Sequence, residues 1–135
     1  MKQLQSLIDD TGSWSDSTFG PDRKPLPVLY HLVKEVPEVI DAIEGQKGDD
    51  RILMEYADCL LLLVDAARLS GYDAKDLLMA GRKKLEINKG RKWGKPDQYG
   101  VIEHIEPGMT LMVCEICHRE FKGTGEITIC PTCYF

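Results

Sequence analysis

Apolar residues recur at helical spacing through the middle of the chain. From Val28 to Glu44, Leu29, Leu32, Val33, Val36, Ile40 and Ile43 fall on one face, which predicts an amphipathic helix. Pro37 lies inside it, where it removes a backbone hydrogen bond and is expected to bend the axis. After the turn "GQKGDD", with Asp49 or Asp50 placed to cap, a second long helix is expected to run to Leu69 and to stop at Gly71. It is apolar on almost every side, so it should be the central one. A third helix, capped by Asp73, is expected to reach Lys89. Residues 12–27, "GSWSDSTFGPDRKPLP", are rich in Gly, Ser, Asp and Pro and read as irregular, and "RKWGKPDQYG" reads as a basic, turn-rich loop. Near Pro107–Gly108 the pattern changes to short β-rich runs, "TLMVC" and "EITIC", joined through "FKGTGE". The expected organisation is a helical domain over residues 1–106 and a small module over residues 107–135.

Composition narrows the function classes. A net charge of -5 gives the 135-residue chain no general attraction for nucleic acid or anionic membrane. Residues 52–67 are too few and too acidic to span a bilayer, and "MKQLQSLIDD" lacks the features of a signal peptide, so a cytoplasmic protein is expected. Four of the five cysteines form two C-x-x-C pairs, which in a reducing compartment point to metal binding; Cys59 stands alone and is expected to be a buried, inert thiol.

The acids within the apolar helices are aligned. His31, Glu35, Glu38 and Ala42 form one stripe of the first long helix, and Arg51, Glu55, Asp58 and Asp65 form one stripe of the second. In a hairpin about "GQKGD", at roughly 1.5 Å per residue, Glu38 comes level with Glu55 and Glu35 with Asp58. A lone E-x-x-E is usually a solvated face. Four carboxylates at one height are different, because one pair at 4 Å costs about 4 kcal/mol at an effective dielectric near 20. Neutralisation is required, and hard oxygen ligands suit Mg²⁺ or Mn²⁺. Measured across "SGYD", Lys84 comes level with Asp58 and Asn88 with Glu55, and Arg91 shares their stripe. A nucleoside triphosphate, bridging metal on one side and cations on the other, would satisfy both sets of charges. For Asp65 and His31, a buried hydrogen-bonded pair is preferred over metal ligation, with a place in the nucleoside pocket as the alternative.

"HLVKEVPEVIDAI", "EYADCLLLLVDAARLSGYDAKDLL" and "KLEINKGRKW" resemble, in order, the helices of the MazG-like all-α nucleoside triphosphate pyrophosphohydrolases, whose signature is E-x-x-E followed by E-x-x-D. "WSDSTFG" and "GVIEH" are similar to the phage-type dATP/dGTP pyrophosphohydrolase branch, and the resemblance covers residues 14 to 104. It implies an all-α MazG-like bundle that hydrolyses a nucleoside triphosphate, by preference a purine dNTP, to the monophosphate and pyrophosphate. It also implies Mg²⁺ ligation by Glu35, Glu38, Glu55 and Asp58, with Glu38 as the acceptor of the water's proton, and phosphate binding by Lys84, Asn88 and Arg91. Pro37 departs from the helix-favouring residues expected between the two glutamates. Trp14 and Phe19 either stack on the base or anchor the N-terminal segment. Family members assemble from several subunits, so a homodimer or homotetramer is expected, in the host cytoplasm if the chain is phage-encoded.

"CEIC" and "CPTC" place Cys114, Cys117, Cys130 and Cys133 in two knuckles separated by twelve residues. Four thiolates saturate a tetrahedral Zn²⁺, so a structural β zinc ribbon is expected, with His118 a poor substitute ligand. The rival reading is a nucleic-acid or protein binding module in which the ribbon and the basic residues 82–95 make contact and the helices are a scaffold. Four acids in the core helices argue against nucleic acid as a partner.

Overall fold

A computed structural model describes residues 1–123 and 128–134 of the chain. Helices α1 (Lys2–Phe19), α2 (Pro25–Glu44), α3 (Asp49–Leu69) and α4 (Ala74–Lys89) are followed by short strands β1 (Lys92–Trp93), β2 (His104–Ile105), β3 (Thr110–Val113) and β4 (Glu120–Gly123), and by a last helical turn, α5 (Pro131–Tyr134). The chain clusters into two compact units, Met1–Arg82 and Lys83–Phe135, divided within α4.

In the first unit α2 and α3 pack along one another across the turn at residues 45–48. The face of α2 that is shielded runs through Val28, Leu32, Glu35, Val39 and Ala42, with Val28, Val39 and Ala42 buried. This corrects the expected apolar face. Val33, Val36, Ile40 and Ile43 are all at least 45% exposed, and on α3 Leu53, Tyr56, Leu60 and Leu63 form a matching exposed stripe. α3 is central in that it contacts both α1 and α2, yet it is not covered on every side. Pro37 is accommodated within an uninterrupted α2. At the start of α3, Gly48 with φ 95° is the cap, and neither Asp49 nor Asp50 caps through its side chain; both sit in the first turn, where their charge favours the positive helix end.

Of residues 12–27, expected to be irregular, 12–19 belong to α1 and 25–27 open α2. The inward face of α1 is Leu4, Ile8, Gly12 and Ser15, of which only two are large apolar residues, so periodicity gave no helical signal there. Ile8, Val64 and Ala74 form the core cluster, with Leu4 and Leu77 packed against it. Polar contacts complete the seam. Gln5 Oε1 accepts the backbone N–H of Ala74 at 2.9 Å and so caps α4, whose entry is further closed by reciprocal hydrogen bonds between Asp73 and Asp76.

Farther along α1 lies a ring of charges. Asp65 of α3 accepts hydrogen bonds from Arg23 Nη2 at 2.7 Å, Arg68 Nε at 3.0 Å and Ser15 Oγ at 3.2 Å. Arg68 also forks onto Asp16, at 2.8 and 3.1 Å. Two acids and two guanidinium groups balance, as burial requires. Burial alone would push the Asp65 carboxyl up, but hydrogen bonds from Arg23 and Arg68 outweigh it and hold the carboxyl below its ordinary value.

In the second unit β1 pairs antiparallel with β2, and β3 with β4 in the register Thr110–Gly123 to Val113–Glu120. The expected loop after α4 thus contributes a strand. The partner of "TLMV" is "EFKG" rather than the expected "EITIC", of which residues 126 and 127 lie outside the described residues and Thr128–Cys130 is not strand. Among the described residues no helix is long and apolar enough to cross a membrane.

Two glycines within helices should respond to alanine with opposite signs. A Cβ at Gly12 would lie 2.5 Å from Arg68 Nε, an atom held by the ring, so Gly12→Ala should cost roughly 1–3 kcal/mol in urea denaturation despite alanine's better helix propensity. Among the described residues nothing outside the local helix lies within 4 Å of a Cβ added at Gly81, and Gly81→Ala should stabilise by about 0.5–1 kcal/mol. The ring also sets a pH dependence. Because the Asp65 carboxyl is depressed in the folded state, its contribution is complete above the ordinary carboxyl value of about 3.9 and fades as pH falls through the folded value. Melting temperature should therefore drop more steeply below pH 4 in the parent than in Asp65→Asn.

Candidate active site

The shielded stripe of α2 meets α3 through Glu35, and α3 answers with Glu55 and Asp58. One carboxylate oxygen from each of the three lies within 4.8 Å of the others. The Glu35 and Glu55 side chains are only 16% and 12% exposed, while Asp58 is exposed. A basic side chain one turn back on the same helix touches each of the two glutamates: His31 Nε2 lies 2.9 Å from Glu35 Oε1, and Arg51 Nε lies 3.4 Å from Glu55 Oε1. The structure does not bring Glu38 into the group of three. Glu38 is exposed on the next turn, and its carboxyl is pushed up first by the charge of Glu35, then by desolvation, by a hydrogen bond with Glu35, and by Glu55 and Asp58. All four acids therefore share one electrostatic neighbourhood. Oxygen ligands around a single Mg²⁺ or Mn²⁺ stand about 3–4 Å apart, so the three converging carboxylates fit a hard divalent cation.

Cys59, half-buried rather than buried, borders this group. Burial first, then Glu35, Asp58 and Glu55, push its thiol up, which suits an inert neighbour rather than a nucleophile. The expected His31–Asp65 pair is not formed: His31 is engaged by Glu35, and Asp65 by Arg23, Arg68 and Ser15. None of the ring partners stood out in the sequence, although Arg68, three residues after Asp65 on a helix, was a usable signal. Trp14 and Phe19 are each 60% exposed and meet edge to face at 5.3 Å, and the Arg23 guanidinium lies 5.5 Å from the Phe19 ring centroid.

Lys84, Asn88 and Arg91 belong to the second unit. Lys84 is exposed; Asn88 accepts from Arg91 Nη1 through its side chain at 3.3 Å and from Trp93 Nε1 through its carbonyl at 3.0 Å. That unit also gathers the four cysteines. Their sulfur atoms lie within 4.8 Å of one another, with Cys117 Sγ 3.6 Å from Cys130 Sγ, close to the spacing of about 3.8 Å that tetrahedral Zn–S bonds impose. The Cys130 N–H points at Cys114 Sγ, and His118 takes a left-handed φ of 57° to close its knuckle turn. Hydrogen bonds from the Cys130 and Cys117 backbone bring the Cys114 thiol down to about 6, while the hydrogen bond with Cys117 pushes Cys133 up. A thiolate site is thus already favoured at Cys114.

A hairpin of helices with acids at its crossing is the frame of a known enzyme class. The structure resembles that of the cyanophage S-2L MazG-like pyrophosphohydrolase bound to dGDP and three catalytic Mn²⁺ ions per active site, with a TM-score of 0.59 and 32% identity over 76% of this chain and 97% of that one. The chain is an all-α, MazG-like protein with a small C-terminal β region. The sequence profile of the dATP/dGTP pyrophosphohydrolases matches residues 7–108, and the chain belongs to that family. Among relatives, the dATP/dGTP diphosphohydrolase of cyanophage S-2L is 36% identical over 88 residues, 65% of this chain and 74% of that protein. One of the same name from Salmonella phage PMBT28 is 34% identical over 105 residues, and the Eaa protein of Salmonella phage P22 is 37% identical over 118 residues. The matched regions span only 31% and 35% of those two longer proteins.

The four-thiol geometry predicts one tightly held Zn²⁺ per chain. Metal analysis after dialysis should find it in the parent and lose it in Cys117→Ser; unchanged zinc in that variant would rule out the assignment.

Proposed function

We propose that the chain hydrolyses purine deoxynucleoside triphosphates to the monophosphate and pyrophosphate, using Mg²⁺ or Mn²⁺ held by Glu35, Glu55 and Asp58 with Glu38 beside them. The observation that carries this reading is the convergence of three carboxylates from α2 and α3 in a chain of this family. Bound divalent metal would neutralise the phosphates and acidify a water. The chain's own groups supply the rest. Glu35 and Glu55 are held by His31 and Arg51 while their oxygens face the site. Glu38, more basic than an ordinary glutamate and outside the group of three, accepts the proton as the water's oxygen bonds to the α-phosphorus and the bond to the pyrophosphate oxygen breaks. Lys84, Asn88 and Arg91 serve the phosphates, and Trp14, Phe19 and the ground around His31 and Asp65 serve the nucleoside. Zn²⁺ on the four cysteines is structural, since four thiolates leave no open position, and residues 107–135 form the module it holds.

The exposed stripes Val33–Val36–Ile40–Ile43 and Leu53–Tyr56–Leu60–Leu63 support a homodimer or homotetramer, assembled through the outer face of the hairpin. Sedimentation that shows only monomer at micromolar concentration would remove this part.

Incubation with each dNTP and Mg²⁺ or Mn²⁺ should release pyrophosphate, fastest from dATP and dGTP. Glu38→Gln and Asp58→Asn should each lower kcat by about 10²-fold or more with the fold intact. Full activity in both variants, or release from no nucleotide, would sink the reading.

A further inference from the structure

The charged ring of the first unit does more than join two helices. Arg23 lies in the connection between α1 and α2, where the chain has no regular backbone to hold it. It is fixed instead by its side chain: Nη2 is 2.7 Å from Asp65 Oδ2 and 4.0 Å from Asp16 Oδ1, and the side chain is 20% exposed. Its Nε is buried and, among the described residues, finds no hydrogen-bond partner. A buried donor left unsatisfied is costly, so the guanidinium is held where its hydrogen bonding is incomplete. The face of the group is occupied by Phe19, 5.5 Å away at its centroid, and the Phe19 ring in turn meets Trp14 at 5.3 Å with an interplanar angle of 85°. Both rings remain 60% exposed. A buried acid therefore reaches, through one arginine, a fixed pair of open aromatic surfaces.

The position of the acid matters. Asp65 follows Asp58 by seven residues on α3, which returns it to nearly the same side of the helix about 10 Å farther along the axis. The carboxylate group and Asp65 thus occupy successive stations along one stripe of α3, and the aromatic pair is joined to the second through Arg23. Phosphates seated at the first station would direct the nucleoside toward the second.

We propose that Arg23 is a positioning residue for the nucleoside: gripped by Asp65, it fixes Phe19, and through Phe19 the indole of Trp14, as the surface on which the substrate's base rests. This rests on the proposed reaction for the location of the phosphates. Arg23 acts through Phe19 and does not itself touch the base. Lysine cannot replace it, since an ammonium lacks the planar fork that binds Asp65 at its edge and covers Phe19 with its face.

Calorimetric titration in the presence of Mn²⁺ tests this with two probes, dGMP and inorganic pyrophosphate, on the full chain and its Arg23→Lys, Phe19→Leu and doubly substituted variants. Arg23→Lys should bind dGMP roughly tenfold more weakly and pyrophosphate as the parent does. Phe19→Leu should show the same division, and the double variant should be no weaker than Phe19→Leu, because the two residues act in series. In turnover the same variants should raise KM with little change in kcat. Unchanged dGMP binding in Arg23→Lys would overturn the proposal. So would a parallel loss of dGMP, pyrophosphate and Mn²⁺ binding, which marks a purely structural role, or additive effects in the double variant. Since binding is read without turnover, a parent that releases no pyrophosphate would strike the proposed reaction and leave the binding measurement to decide the role of Arg23.

Discussion

Mutual repulsion of carboxylates is the constraint around which the first unit is built. Glu35, Glu55 and Asp58 bring oxygens within 4.8 Å of one another, and each such pair of charges near a protein surface opposes the fold by about 4 kcal/mol. Two long helices must therefore be held together against their own side chains. Small and branched residues on the shielded stripe, Val28, Val39 and Ala42, let α2 lie close against α3, while Arg51 offsets part of the negative charge and His31 hydrogen-bonds Glu35. What remains uncompensated is the affinity for a cation. The same packing that places the acids thus creates the demand that a metal answers.

A second, polar device stands where apolar packing is thin. Along α1 the large buried side chains end at Ile8, and beyond it Gly12 and Ser15 leave room for the Arg68 guanidinium. Because Arg68 and Arg23 are matched by Asp16 and Asp65, the ring is neutral and its geometry is directional. Removing one member would strand its partner, which is how buried ion pairs specify position even where they add little net stability.

Much of this architecture was legible in the residues, and each miss has its own physical cause. The spacing of Glu35 and Glu38 against Glu55 and Asp58 across a short turn sufficed to set carboxylates of two helices at one height. Helical period correctly marked α2, α3 and α4, but it assigned the inward face of α2 to its most apolar stripe, and the hairpin buries the stripe with Glu35 in it. An apolar face declares that something covers it without saying whether the cover comes from the same chain. α1 escaped for the converse reason: glycine, serine and charged residues do its packing, and such residues read as loop. The β3–β4 pairing was misread because the strand "EFKG" alternates too briefly to stand out beside glycine.

Gly12 carries a consequence for the history of the chain. Its missing side chain is filled by Arg68, fifty-six positions away in sequence, and that arginine is committed to two acids. Any larger residue at position 12 demands a shorter one at 68, and a shorter one at 68 leaves Asp16 with only Arg23, at 4.0 Å, and Asp65 with Arg23 and Ser15. Substitution at these positions is therefore not independent. Descendants of this sequence should either keep glycine and arginine together or replace the whole set, so that the seam between α1 and α3 drifts as a block.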